Sequence, residues 1–135
     1  MSDGSYRHRQ RRAYLDLMDK VGGHWIDVFG GEREFYSTAY WDLLTALWAE
    51  GGPMRKTDAL ATMTAVKSAH TAGKYLDAAM QRGLVEERDN PKDARSKLVV
   101  LSPDMKARLD AFFDKAIGEV TRTADEIGDT SDGSP

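Results

Sequence analysis

Apolar residues recur at three- and four-residue spacing from Tyr14 through Met18, Val21, Trp25, Val28 and Phe29, the period of an amphipathic helix. Gly22-Gly23 is expected to loosen its middle, and Gly30-Gly31 ends it. A second helix is predicted over 33–50, with Tyr36, Tyr40, Leu43, Leu44, Leu47 and Trp48 on one face, before Gly51-Gly52-Pro53 stops it. A short helix follows around 57–63, then a polar turn near 64–67, then a longer helix to Arg82 with Ser68 as N-cap and Gly83 as C-cap. Leu84-Val85 opens a strand, Lys97-Leu98-Val99-Val100-Leu101 forms its partner, and Asn90-Pro91 marks the turn between them. Ser102-Pro103-Asp104 reads as a helix start: a cap, a proline in the first turn and an acid near the positive end of the dipole. The last helix carries Leu109, Phe112, Phe113, Ala116, Ile117, Val120, Ala124 and Ile127 as one expected stripe. Residues 1–5 and 129–135 are rich in Ser, Asp, Gly and Pro and are expected to be disordered.

Charge is informative here by where it sits. The 135 residues sum to a net charge of −3, but between Met54 and Asp110 there are 11 Lys and Arg against 8 Asp and Glu. A basic middle between acidic flanks suits a nucleic-acid module carried between other helices. The absence of cysteine excludes disulfides, thiolate zinc sites and thiol redox sensing. No apolar run approaches the roughly 18 residues that cross a bilayer, and no signal-peptide apolar core follows the basic N-terminus. A cytoplasmic location without membrane partners is therefore expected. The length is enough for one domain with its own core.

The segment Arg88-Asp89-Asn90-Pro91-Lys92-Asp93-Ala94-Arg95 carries five charges in eight residues at a hairpin tip. Nothing in a hairpin requires that density, whereas a polyanion partner would use it. Upstream, the helix from Ser68 offers Ser68, His70, Thr71 and Lys74 on one side while Tyr75, Leu76, Ala79 and Met80 can face a core. A short helix, a turn and a second helix with small polar donors and a cation form a helix-turn-helix. By itself the pattern also fits an ordinary amphipathic helix.

From Leu43 to Leu109 the chain resembles the MarR family of bacterial transcriptional regulators. The resemblance is carried by Ser68-Ala-His-Thr71-Ala-Gly-Lys74-Tyr-Leu76, by Arg82-Gly83-Leu84-Val85, by Asn90-Pro91-Lys92-Asp93-Ala94-Arg95 and by Val100-Leu101-Ser102-Pro103. It implies a mainly α fold with a small β-hairpin: a winged helix-turn-helix at about 54–101, flanked by dimerisation helices at about 6–50 and 103–127, in a single domain over 1–135. It also implies a dimeric, sequence-specific regulator, most simply a repressor, on a pseudo-palindromic double-stranded operator. Arg95 would enter the minor groove, where narrow A·T stretches concentrate negative potential. Asp93 would orient that guanidinium, or else stabilise the turn. Thr71 and Lys74 would contact phosphates or base edges in the major groove with His70 beside them. Ser68 would cap the helix and meet a phosphate, and Lys67, Lys92 and Lys97 would be either phosphate contacts or solvated lysines. The chain departs from the family at His70, at Ala79 and at Gly73, a helix-interior glycine costing on the order of 1 kcal/mol against alanine.

The terminal helices carry more apolar surface than a monomer needs, so they either pair with a second copy or fold back on the central module. The resemblance also implies a pocket for a small aromatic or phenolic effector. Candidate lining residues are Tyr14, Trp25, Tyr36, Tyr40, Trp41 and Trp48, with Arg12 or Arg33 to pair a carboxylate. The basic cluster Arg7-His8-Arg9-Gln10-Arg11-Arg12 is either an arm to DNA or a solvated helix end. Enzymatic chemistry finds no phosphate-cradling loop, nucleophile elbow or metal-ligand spacing, and His8, His24 and His70 lie in separate segments. The expectation is a non-enzyme without cofactor or metal. A winged helix that binds a protein and not DNA is the competing class.

Overall fold

The computed structural model describes residues 4–128. The disorder expected for 1–3 and 129–135 lies outside the described residues, while Gly4 and Ser5 belong to no helix or strand. The elements are α1 (His8–Val28), a 3-10 turn (Arg33–Tyr36), α2 (Thr38–Glu50), β1 (Met54–Arg55), α3 (Lys56–Ala61), α4 (Ala69–Gln81), β2 (Val85–Asp89), β3 (Lys97–Leu101) and α5 (Pro103–Gly128). They form two compact units, one built from residues up to Gly31 and from Asp110 onward, the other from Glu32–Leu109.

The second unit is a winged helix-turn-helix. Its core gathers Phe35, Tyr40, Leu43, Leu44 and Leu47 with Ala59, Met63, Leu76, Val85, Val99, Met105 and Leu109, all nearly inaccessible to solvent. β2 and β3 pair antiparallel from Val85 opposite Leu101 to Asp89 opposite Lys97. β3 is the central strand, because β1 pairs with its other edge through Met54 opposite Val99 and Arg55 opposite Leu98. That third strand was not expected; two residues between Gly-Gly-Pro and a helix give no strand signal in sequence.

The predicted second helix is in fact two pieces. Ser37 adopts extended backbone and its Oγ accepts the Tyr40 N–H at 3.4 Å, capping α2 and separating it from the 3-10 turn. A capping serine cannot itself be helical, so the continuous 33–50 helix gives way there. Tyr36 and Trp48, expected on the apolar face, are only half-buried, whereas Phe35 is in the core. The short helix also begins earlier than expected, at Lys56, with Arg55 as N-cap.

In the first unit α1 begins at His8 and runs unbroken through Gly22-Gly23. The basic N-terminal cluster is therefore the start of a helix and not an extended arm. Its inward row is Ala13, Leu17 and Val28, with Trp25 beside them; Tyr14 and Met18, expected on that face, are exposed. The shift has a polar cause. Gln10 and His24 share the inward row, and both find partners on α5: the Gln10 side-chain amide donates to the Ile127 carbonyl at 3.0 Å, and His24 Nε2 lies 2.9 Å from Glu119 Oε2. Trp25 stacks edge-on against Phe29 and Phe112, with ring centroids at 4.9 and 5.4 Å. On α5 the expected stripe likewise splits, with Phe112, Glu119 and Thr123 buried while Ile117 and Val120 face solvent. No helix among the described residues is long and apolar enough to cross a membrane.

Candidate nucleic-acid interface

The ends of α4 are fixed by its own sequence. Ser68 leaves the turn in extended backbone, and its Oγ accepts the Thr71 N–H at 3.1 Å while donating to Thr71 Oγ1 at 2.9 Å. At the other end Gly83 takes a left-handed φ of 73°. There the Gly83 N–H bonds the Met80 carbonyl at 3.1 Å and the Leu84 N–H bonds the Ala79 carbonyl at 2.9 Å. These two bonds form a Schellman motif, which turns the chain straight into β2. Arg82 is the cap residue, one before the glycine expected there.

Ala72, Leu76 and Ala79 bury one face of α4, and Lys67, Ser68, His70, Thr71 and Lys74 are all exposed. Two ties hold the helix within its unit. The Tyr40 hydroxyl donates to the Tyr75 carbonyl at 2.7 Å. Arg82 forks between Glu32 and Glu34 beside the 3-10 turn. Neither was foreseen from sequence, because both join residues far apart in the chain whose types have many other uses.

The wing tip is two successive turns. Asn90 Oδ1 accepts the Lys92 N–H and Asp93 Oδ1 accepts the Arg95 N–H, each at 3.0 Å. Asp93 therefore performs the turn-stabilising role tightly, whereas its oxygen lies 3.9 Å from Arg95 Nε, a loose pair that leaves the Arg95 side chain 97% exposed. Lys97 stands apart from the other expected phosphate contacts. It faces Asp89 across the last pair of the ladder and bonds it at 2.6 Å. That bond holds the Asp89 carboxyl below its usual range and lifts the Lys97 ammonium above its own.

From Met54 to Leu101 the remaining cations divide cleanly. Arg55 pairs with Asp58, Lys56 with Glu87 and Arg88 with Glu86. Lys67, Lys74 and Lys92 have no acidic partner among the described residues. The unneutralised charge thus lies in the turn before α4, on its exposed face and at the wing tip.

The expected effector residues fall in both units. Arg12, Tyr14 and Trp25 belong to the first unit, and Tyr36, Tyr40 and Trp48 to the second. Arg12 pairs with Asp16 at 3.5 Å. Trp25 and Tyr40 are core side chains, and burial, followed by the nearby Glu34 carboxylate, pushes the Tyr40 hydroxyl up to about 12. A cavity of about 380 Å³ in the first unit does take in Tyr14, beside Tyr6, Gln10, Arg11 and Ile127. Among the described residues there is no cluster of three His, Cys, Asp or Glu able to hold a metal.

No family model matches the chain, and no curated protein matches it in sequence. Solved structures match it in fold. A transcriptional regulator from Thermotoga maritima is 15% identical, with 94% of this chain and 86% of that one covered at a TM-score of 0.62. NadR in complex with 4-hydroxyphenylacetate is 12% identical, with coverage of 95% and 84% and a TM-score of 0.61. A mutant of MarR from E. coli in complex with operator DNA is 16% identical, with coverage of 89% and 80% and a TM-score of 0.53. The chain has the winged-helix fold of these transcriptional regulators.

Proposed function

We propose that the protein is a MarR-like regulator of transcription: a homodimer that binds a pseudo-palindromic double-stranded operator and represses a nearby operon. The observation that carries this reading is the placement of unpaired cations. Lys67, Lys74 and Lys92 would meet the duplex, together with the loosely held and 97% exposed Arg95, whereas Arg55, Lys56, Arg82, Arg88 and Lys97 are paired with neighbouring carboxylates. α4 would lie in the major groove and present His70, Thr71 and Lys74, and the wing would carry Arg95 to the minor groove. The fold neighbour solved with operator DNA supports the same partner. Homodimerisation is supported by exposed apolar side chains in the first unit, among them Tyr14, Met18, Ile117 and Val120. Two copies would place two recognition helices about one turn of duplex apart. A small aromatic or phenolic acid is the effector class supported by the NadR complex. The role is that of a DNA-binding protein and not an enzyme.

The test is a mobility shift on a genomic fragment from around the protein's own coding region, comparing wild type with Arg95→Ala. Tight, salt-sensitive binding that the substitution weakens supports the reading. Absence of binding by both proteins at low salt turns the assignment to a winged helix that docks a protein partner.

A further inference from the structure

Gly73 lies inside α4 with an ordinary helical backbone; it is not among the glycines with positive φ. A Cβ built on it meets no atom within 4 Å. Neither conformation nor packing therefore calls for glycine, and alanine would be the better helix former. The reason for the missing side chain is sought outside the chain. One turn away on the same side lie Ala69, His70 and Asp77, all exposed, and Lys74 follows directly. Gly73 itself is half-buried at the edge of the exposed face of α4, so it leaves the main chain uncovered beside Lys74, and glycine is the residue that lets a backbone approach a ligand closely.

We propose that Gly73 is where the main chain of α4 touches the base edges of the major groove, and that its bare Cα selects a thymine there by accepting the C5-methyl group. This rests on the DNA-binding reading above. The thymine methyl is the one apolar projection in the major groove, so a small apolar contact reads it. A methyl on the protein side would occupy the same space.

The experiment begins with duplexes selected from a random pool by the full wild-type chain, followed by affinity measurements for wild type and Gly73→Ala. Each protein is also titrated on duplexes in which single thymines are replaced by uracil, which deletes only the methyl. Gly73→Ala is expected to melt at or above the wild-type temperature and to bind the selected duplex about tenfold or more weakly. Uracil at one position per half-site is expected to restore most of that loss. Wild-type affinity retained by Gly73→Ala overturns the contact, and failure of uracil at every position to restore binding overturns the thymine assignment. Failure of the wild type to enrich any sequence overturns the DNA-binding reading itself and this proposal with it.

Discussion

The phenol of Tyr40 donates a 2.7 Å hydrogen bond to the main-chain carbonyl of Tyr75, so a residue of α2 grips the middle of α4. The two rings also meet edge-on, with centroids 5.3 Å apart. Because Tyr40 is almost wholly buried, its hydroxyl stays neutral up to about 12, against 10.0 for an ordinary tyrosine. Below pH 10 the phenol is neutral in the folded and unfolded chains alike, and its stabilisation is intact. Above that value the unfolded chain ionises while the folded one does not, so each further pH unit removes about 1.4 kcal/mol until the folded value is reached. Urea unfolding followed from about pH 9 to about pH 12 should show wild type losing stability faster than Tyr40→Phe. At neutral pH that variant should be about 1–2 kcal/mol less stable, through the lost hydrogen bond.

At the wing tip the backbone of Arg95 is held more firmly than its guanidinium, at 3.0 Å against 3.9 Å from the same Asp93 oxygen. Arg95→Ala should cost about 1–3 kcal/mol of duplex binding. Asp93→Asn keeps an oxygen for the Arg95 N–H and should lose little affinity, whereas Asp93→Ala frees the turn and should approach the loss seen with Arg95→Ala. Equilibrium titration of the three variants against one duplex separates these roles. Equal losses for Asp93→Asn and Asp93→Ala would mean that the carboxylate charge matters and the turn does not.

Unpaired and paired lysines should differ in salt dependence. Each of Lys67→Ala, Lys74→Ala and Lys92→Ala is expected to lower the slope of log K against log salt by about one. Lys97→Ala should change it far less, because Lys97 is held by Asp89. The Asp89 carboxyl is depressed below its ordinary value of 3.8 by that hydrogen bond. The sign follows: the pair is present above 3.8 and is lost only as pH falls through the lower folded value. It therefore stays closed wherever DNA binding is measured. A Lys97→Ala slope change as large as that of Lys74→Ala would count against the division of cations.

Local chemistry made the winged helix legible. Ser68 and Ser102 cap the helices expected of them, Ser102 by accepting the Met105 N–H at 3.1 Å. Gly83 carries the left-handed turn into β2. Asn90 closes the wing through its own side chain. Such signals act within four residues and survive in any tertiary setting. Features that depend on distant partners were not legible. β1 exists only because β3 offers it an edge. Lys97 reads as a free cation until the ladder register sets Asp89 opposite it. Hydrophobic periodicity placed Trp25, Val28 and Phe29 correctly but misplaced Tyr14 and Met18, because Gln10 and His24 hold inward positions of α1 and are satisfied by α5.

The exposure of Tyr14 and Met18 bears on assembly. In the first unit Glu119 is buried on α5, bonded to His24 and also held by Arg122. On the solvent side of the same helix Ile117 is 63% exposed and Val120 49% exposed. A helix that spends its inward positions on a paired carboxylate and leaves its isoleucine outside is arranged for a second apolar surface. If two copies supply it, Ile117→Glu with Val120→Glu should leave the melting temperature of the winged-helix unit unchanged and shift sedimentation from dimer to monomer. Operator affinity should then fall by about a hundredfold or more, because each half-site would be bound alone. Glu119→Ala should act in the opposite way, lowering stability by taking the partner from a half-buried His24 while leaving the outward face able to pair. A dimer that survives both outward substitutions would place the contact on other surfaces, with Tyr14, Leu15 and Met18 of α1 the next to test.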